Sequence, residues 1–323
     1  TVRSGVGDLE LGAGQTFKAK SVSLTADGGR ITIGGTIDTS GVDVSGMSAD
    51  DARNADVNVG DIALWGRNGV TLASTAKLDT HTTGYANTDS RVASAGDVTI
   101  GIADQSAAIT IASGAVIDAG ARRTQAAVAV GETGARLVPK VITDAVTGSQ
   151  QTVYTYAAPD TGGTVSLRAP VLGTKEDKVN VSLHGSILGA DSVQLEAYKR
   201  YDLDALASAG LYSGVSRDAD GTLLLNFADS SAKGGKYNPF TESFQLADGG
   251  ASVVKFIQNF DVTTVDGSSL SGLRLRPGVE LASGGGIKTT TEWNLAAASF
   301  SPQQLQAAVN AGVLQVIPEL SAG

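Results

Sequence analysis

Gly60-Asp61-Ile62-Ala63-Leu64, Val70-Thr71-Leu72 and Lys77-Leu78-Asp79-Thr80 form a phrase that starts again at residue 96. The restart reads Gly96-Asp97-Val98-Thr99-Ile100, Ile109-Thr110-Ile111 and Val116-Ile117-Asp118-Ala119. In each segment Val, Ile or Leu alternates with small or polar residues, which is the period of a strand with one buried face. The strands are too short to make hairpin sheets of their own. Three of them per repeat are what one coil of a parallel β-helix supplies, with equivalent strands stacked coil on coil. The fold class predicted is all-β: a right-handed parallel β-helix with protruding loops.

Working outward, an earlier copy reads Gly7-Asp8-Leu9-Glu10-Leu11, Val22-Ser23-Leu24, Ile31-Thr32-Ile33 and Thr36-Ile37-Asp38-Thr39. A looser later copy reads Gly163-Thr164-Val165-Ser166-Leu167, Val179-Asn180-Val181-Ser182-Leu183 and Ser186-Ile187-Leu188-Gly189. Asp38 to Asp79 is 41 residues and Asp79 to Asp118 is 39, far more than three short strands need. The surplus follows the apolar-Asp step each time, as 42–59, 81–95 and 121–162. These segments are rich in Gly, Ser, Thr, Asp and Asn, so they are expected to leave the stack at one corner and project from one side. An antiparallel sandwich also uses glycine turns between short strands, but it gives no reason for the phrase to restart after every insertion.

Composition fits this reading. The 323 residues include 41 Gly, 7 Pro and only 5% aromatic and 18% charged residues, with 41% hydrophobic. That suits many short strands with tight turns and is neither a helical nor a disordered profile. A net charge of −9 offers no footprint for a phosphate backbone, so nucleic acid is not an expected partner. With no cysteine there are no disulfides, thiol nucleophiles or cysteine-held metals. The chain opens at Thr1 without a basic and apolar leader, and is read as an internal piece of a larger protein.

After about Tyr198 the phrase breaks. The organisation expected is β-helix coils with lateral loops over 1–198, an irregular excursion over 199–252, further β-helix-like strands over 253–300, and a short helix and tail over 301–323. A short helix is expected to begin within 197–206. Strands are expected at 253–257 and 273–281. Ser301-Pro302 reads as a helix start, and Gly312 as its stop. Gly284-Gly285-Gly286 is read as a turn, because the β-prone Ile287-Lys288-Thr289 follows it where a phosphate cradle would need a helix.

Leu273-Arg274-Leu275-Arg276-Pro277-Gly278-Val279-Glu280-Leu281 followed by Trp293-Asn294-Leu295, together with the repeated phrase, resembles the large exoproteins of the filamentous haemagglutinin family. The likeness covers most of the chain and is more specific over 253–296. The resemblance implies secretion through an outer-membrane partner transporter, a long β-helical rod at the bacterial cell surface, and roles in attachment, aggregation or biofilm. It carries over no catalytic residue.

The search for chemistry turns up few candidates. His81 and His184, the two histidines, lie in no nucleophile-elbow or metal pattern and are read as solvated. Asp38, Asp79 and Asp118 occupy equivalent places and form a ladder of carboxylates. Such a ladder is splayed into water, or relieved by a cation or by hydrogen bonds from Thr39 and Thr80. The plainer reading is turn-capping or solvated aspartates, with a weak calcium site as the alternative; these three are the metal candidates. Asp50-Asp51-Ala52-Arg53 and Arg122-Arg123 could serve a polysaccharide lyase or glycosidase, the rival on this architecture, although their spacing fixes no acid–base separation. The plainer reading of both is a solvated charged loop. Tyr85, Tyr154, Tyr156, Tyr198, Tyr201, Trp65 and Trp293 are the aromatics considered for stacking on sugars. Tyr154 and Tyr156 are the ligand-binding candidates, because they face one way if their segment is extended.

The expectation is a non-enzymatic segment of a secreted surface adhesin, a stiff stalk with lateral loops. Its partners would be a host-cell or bacterial receptor or glycan, and the isolated fragment is expected to self-associate through open end strands.

Overall fold

The structure is a computed structural model of the 323-residue chain. It describes residues 1–44, 46–84, 91–122, 129–130, 136–145, 147–172, 178–209, 214–226, 263–264 and 273–290. The chain divides into two compact units. The first comprises Thr1–Arg168, Val181–Leu195 and Thr263–Arg274, and the second takes the remainder.

The described fold is mostly β, built on three parallel sheets. The first runs β1 (Val2–Ser4), β4 (Val22–Ala26), β7 (Ile62–Gly66), β10 (Val98–Ile102) and β16 (Thr164–Leu172), with β20 (Ser192–Asp202) next. In the second, β2 (Leu9–Leu11), β5 (Ile31–Ile33), β8 (Val70–Leu72), β11 (Ile109–Ile111), β18 (Val181–Leu183) and β23 (Thr263–Thr264) are neighbours in that order. The third is β3 (Thr16–Lys18), β6 (Thr36–Asp38), β9 (Lys77–Asp79), β12 (Val116–Asp118) and β19 (Ser186–Leu188). The chain visits the sheets in rotation, which is the arrangement of a parallel β-helix or solenoid.

Register explains why the alternation works. Ile62, Val98 and Val165 align in one sheet, Ile33, Leu72, Ile111 and Leu183 in another, and Ile37, Leu78, Ile117 and Ile187 in the third. Most of these side chains are buried, each contributing roughly 1.5–3 kcal/mol by leaving water. The β-branched residues that dominate them stand well on a pleated face.

The corner between the third sheet and the next strand of the first is built on glycine. A Cβ on Gly60 would lie 1.7 Å from the carbonyl oxygen of Lys20, one on Gly96 2.3 Å from that of Gly60, and one on Gly163 2.0 Å from that of Gly96. The aspartates that follow tie the repeats together. Asp61 Oδ1 accepts the Asp97 N–H at 2.9 Å, and Asp97 Oδ1 accepts the Thr164 N–H at 2.7 Å. The Gly-Asp phrase is therefore a stacking device between repeats.

Two departures from the sequence reading concern phase. Leu9-Glu10-Leu11 pairs with Ile31–Ile33 in the second sheet, so it is not the counterpart of Ile62–Leu64; Val22–Ala26 is. A whole earlier repeat, β1 to β3, precedes it. Its strands Val2-Arg3-Ser4 and Thr16-Phe17-Lys18 each hold a single apolar residue, which leaves no alternation to read.

The second unit holds β17 (Lys178–Val179), antiparallel to the end of β16, then α2 (Leu203–Ala209), β21 (Val215–Arg217), β22 (Leu223–Leu225), most of β24 (Leu273–Ala282) and β25 (Ile287–Thr289). Strands β21, β22 and β25 form one sheet, and Leu203, Val215, Leu223 and Leu225 make a small core. The helix expected within 197–206 begins at Leu203; residues before it continue β20 as strand. The expected strand at 253–257 and helix after Ser301 lie outside the described residues.

Candidate functional site

All three long insertions leave the first unit at one corner, after the third-sheet strands β6, β9 and β12 and before β7, β10 and β16. The shared exit follows from the frame. The other corners are closed by turns such as Gly34-Gly35, where a Cβ on Gly35 would lie 2.3 Å from the Gln15 carbonyl oxygen.

At the root of the insertions stand the aspartates. Asp38, Asp79 and Asp118 are direct neighbours in register, and Lys18 and Leu188 occupy the same column on either side. Each carboxylate accepts the backbone N–H two residues on: Ser40 at 2.9 Å, His81 at 3.3 Å and Gly120 at 3.3 Å. These are aspartate-capped turns that steer the chain out of the sheet.

Like charges one strand apart repel, and the fold answers with a cation for each. Lys18 Nζ lies 2.6 Å from Asp38 Oδ2, Lys77 Nζ 2.6 Å from Asp79 Oδ2, and Arg122 Nη2 2.5 and 2.6 Å from the two oxygens of Asp118. His81 adds an Nδ1 contact to Asp79 Oδ1. Burial alone would raise the Asp79 pKa, but the hydrogen bonds from His81 and Lys77 outweigh it and hold it at about 2. Hydrogen bonding to Asp79 in turn raises His81 above its ordinary value, against the opposing effect of burial. Asp38 is held below the usual carboxylate range, because Lys18 and Ser40 together overcome its desolvation.

Several expectations change here. Thr39 and Thr80 do not serve the carboxylates: their side chains turn inward and donate to the backbone carbonyls of Gly60, at 2.7 Å, and Gly96, at 2.8 Å. A residue next to an outward aspartate in an extended chain faces the core, so they could not do otherwise. His81 is no solvated surface histidine but a half-buried partner of Asp79. His184 is half-buried too, and its Nδ1 is shielded from solvent without a hydrogen-bond partner among the described residues. Arg122 is committed to Asp118, and Arg123 lies outside the described residues. Asp50-Asp51-Ala52-Arg53 belongs to a six-residue helix, α1 (Ala49–Asn54), capped by Ser48. Ala52 packs with Val44 and Val57, while Asp50 and Asp51 stay exposed in the first turn.

Asp79, His81 and Asp118 bring ligand atoms within 4.8 Å of one another. Two carboxylates and an imidazole suit a divalent transition ion better than calcium, which prefers oxygen throughout. Lys77 and Arg122 already bond these carboxylates, so an ion would have to compete with two fixed cations.

The longest insertion carries β13 (Ala129–Val130), β14 (Arg136–Thr143) and β15 (Gln150–Tyr156), an antiparallel sheet in that order. Tyr154 pairs with Pro139 and Tyr156 with Leu137, so both tyrosines share one face with Leu137, Pro139 and Val141. They are 52% and 67% exposed and Val141 is 58% exposed, while Val138 on the other face is buried.

The chain matches no family model, no curated protein and no solved structure. Of the other aromatics, Tyr198 is buried, and Tyr85 and Trp293 lie outside the described residues. Trp65 is half-buried on the outer face of the first sheet, in register with Gly101 and, one strand further, Arg168. Its ring occupies the space a Gly101 side chain would need, with the Arg168 guanidinium carbon 5.7 Å from the ring centre. That arrangement was invisible in the sequence, because it joins three repeats; the glycine interrupting Val98-Thr99-Ile100-Gly101-Ile102 was its one trace.

Proposed function

We propose that the chain is a non-enzymatic segment of a large secreted bacterial surface protein of the filamentous haemagglutinin type, its first unit a right-handed parallel β-helix. In this reading the stacked strands are a stiff stalk, and the corner insertions make contact with a host-cell or bacterial receptor or glycan. The full-length protein would leave the cell through an outer-membrane partner transporter.

One observation carries the proposal: three insertions leave at one corner, and the longest presents Tyr154 and Tyr156 together on an exposed face. Aromatic rings fixed by cross-strand pairing offer flat apolar surface at little entropic cost, which suits the faces of sugar rings. The described carboxylates of the corner are capped or ion-paired in ways that serve the frame.

The test is retention and turnover on a glycan array and on whole cells, for the wild-type chain and Y154A/Y156A. Retention without cleavage is expected, reduced at least about tenfold in the double variant while the fold is kept. Cleavage products would overturn the reading in favour of a carbohydrate-active enzyme.

A further inference from the structure

We infer that β15 is a docking edge for the β15 strand of a second copy of this chain, the two pairing antiparallel across a two-fold axis at Val153. The inference deepens the adhesive reading of the same hairpin by naming its partner.

Among the described residues β15 closes the sheet β13-β14-β15 and pairs only with β14. Among the described residues nothing bonds its outer side, so its backbone groups there are free to form a ladder. Natural sheets guard such edges with lysine, proline, bulges or very short strands. Gln150-Gln151-Thr152-Val153-Tyr154-Thr155-Tyr156 has none of these: no charge, no proline, no glycine, and an unbroken register from Thr143↔Gln150 to Leu137↔Tyr156. Its neighbour β14 carries Pro139, Lys140 and Arg136, so the protection is missing on the strand that needs it. Every residue of β15 except Val153 is exposed.

An edge without such guards is a template for pairing with a further copy of the same chain. Net charge of −9 opposes association of two copies, and the uncharged β15 is a seven-residue stretch where they meet without like charges opposed. A two-fold at Val153 sets Gln150 against Tyr156, Gln151 against Thr155 and Thr152 against Tyr154, with no like charges in contact. It also places the two Tyr154 rings diagonally on one face, within reach of each other. The result would be one continuous sheet shared by two hairpins, an isologous contact that closes at the dimer. A single strand pair buries little area, so the contact is weak for one pair of chains and strengthens where many are displayed together.

Sedimentation equilibrium of the full chain from about 1 to 300 μM is the experiment. A monomer–dimer equilibrium is expected. Q151K/T155K sets lysine opposite lysine in both 151–155 pairs and should weaken the dimer at least about tenfold, as should Q151E/T155E. An equimolar mixture of the two variants should restore it as a heterodimer. Both positions are exposed, so circular dichroism and the unfolding midpoint should match wild type. A wild-type chain monomeric throughout, a dimer indifferent to the lysines, or a mixture that fails to restore pairing each overturns the inference. These variants keep Tyr154 and Tyr156. Loss of the dimer with retention on glycan intact therefore separates this inference from the adhesive reading, and the reverse result sinks only the latter.

Discussion

At Gly96 any side chain would strike the carbonyl oxygen of Gly60, and Gly163 stands in the same relation to Gly96. Gly96→Ala is expected to lower the unfolding free energy by about 1–3 kcal/mol in urea, since backbone must shift to admit the methyl group. Gly46→Ala, with nothing within 4 Å of the added carbon, should leave it unchanged and serves as the control. The aspartate column makes a second prediction at this scale. With its pKa at about 2 against an ordinary 3.8, Asp79 contributes stability that is fully present above pH 3.8 and lost as pH falls through 2, about 2 kcal/mol in all. His81 has the opposite sign: its contribution is full below 6.5 and fades as pH rises through its raised folded value. Urea titrations across pH should show a shallower acid limb in Asp79→Asn and a flatter profile above pH 6.5 in His81→Gln. Because Lys77 and Arg122 already supply positive charge, chelator or added calcium should move the unfolding midpoint by less than about 1 °C. A shift of several degrees would mean that an ion displaces them.

Among elements, a residue's worth depends on what covers it. Leu78 sits in the middle of a stack between Ile37 and Ile117, fully buried, and Leu78→Ala should cost about 2–5 kcal/mol. Leu188, 42% exposed at the edge of the same sheet, should tolerate alanine within about 0.5 kcal/mol. The strands that carry this stack were legible in the sequence wherever two apolar residues flanked a polar one, as in Ile31-Thr32-Ile33. Where one apolar residue stood alone, as Phe17 does in β3, the strand and its phase were lost. Gln150–Tyr156 is exposed on nearly its whole length and lacks hydrophobic alternation, so its sequence reads as a loop although it folds as a hairpin strand. The common direction of Tyr154 and Tyr156 was still readable from their spacing. The equivalence of Asp38, Asp79 and Asp118 was legible too. Of their cations only Lys77 was legible, two residues before Asp79 on the same face; Lys18 comes from the preceding repeat, while Arg122 and His81 come from chain that has already left the sheet.

For the whole molecule, electrostatics opposes association and the uncharged edge permits it. Raising salt from about 20 to 300 mM shortens the Debye length and should strengthen the dimer several-fold, read by sedimentation at pH 7. A dimer that weakens with salt would point to ion pairs and away from β15. Stacking also sets a rule of occupancy. Successive repeats rise by one strand spacing, about 4.8 Å, whereas a helix or a folded hairpin is roughly 10 Å thick. Storeys at the shared corner are thus about half the height of any helix or hairpin built on them. The described elements fit this: the helix α1 stands on the storey of 39–61, a hairpin on that of 119–163, and the tight turn 189–191 on the storey next to the hairpin. A folded insertion therefore needs clearance on the adjacent storeys, as a balcony does, so a folded peptide grafted at 189–191 should crowd the hairpin beside it, whereas an extended one should not.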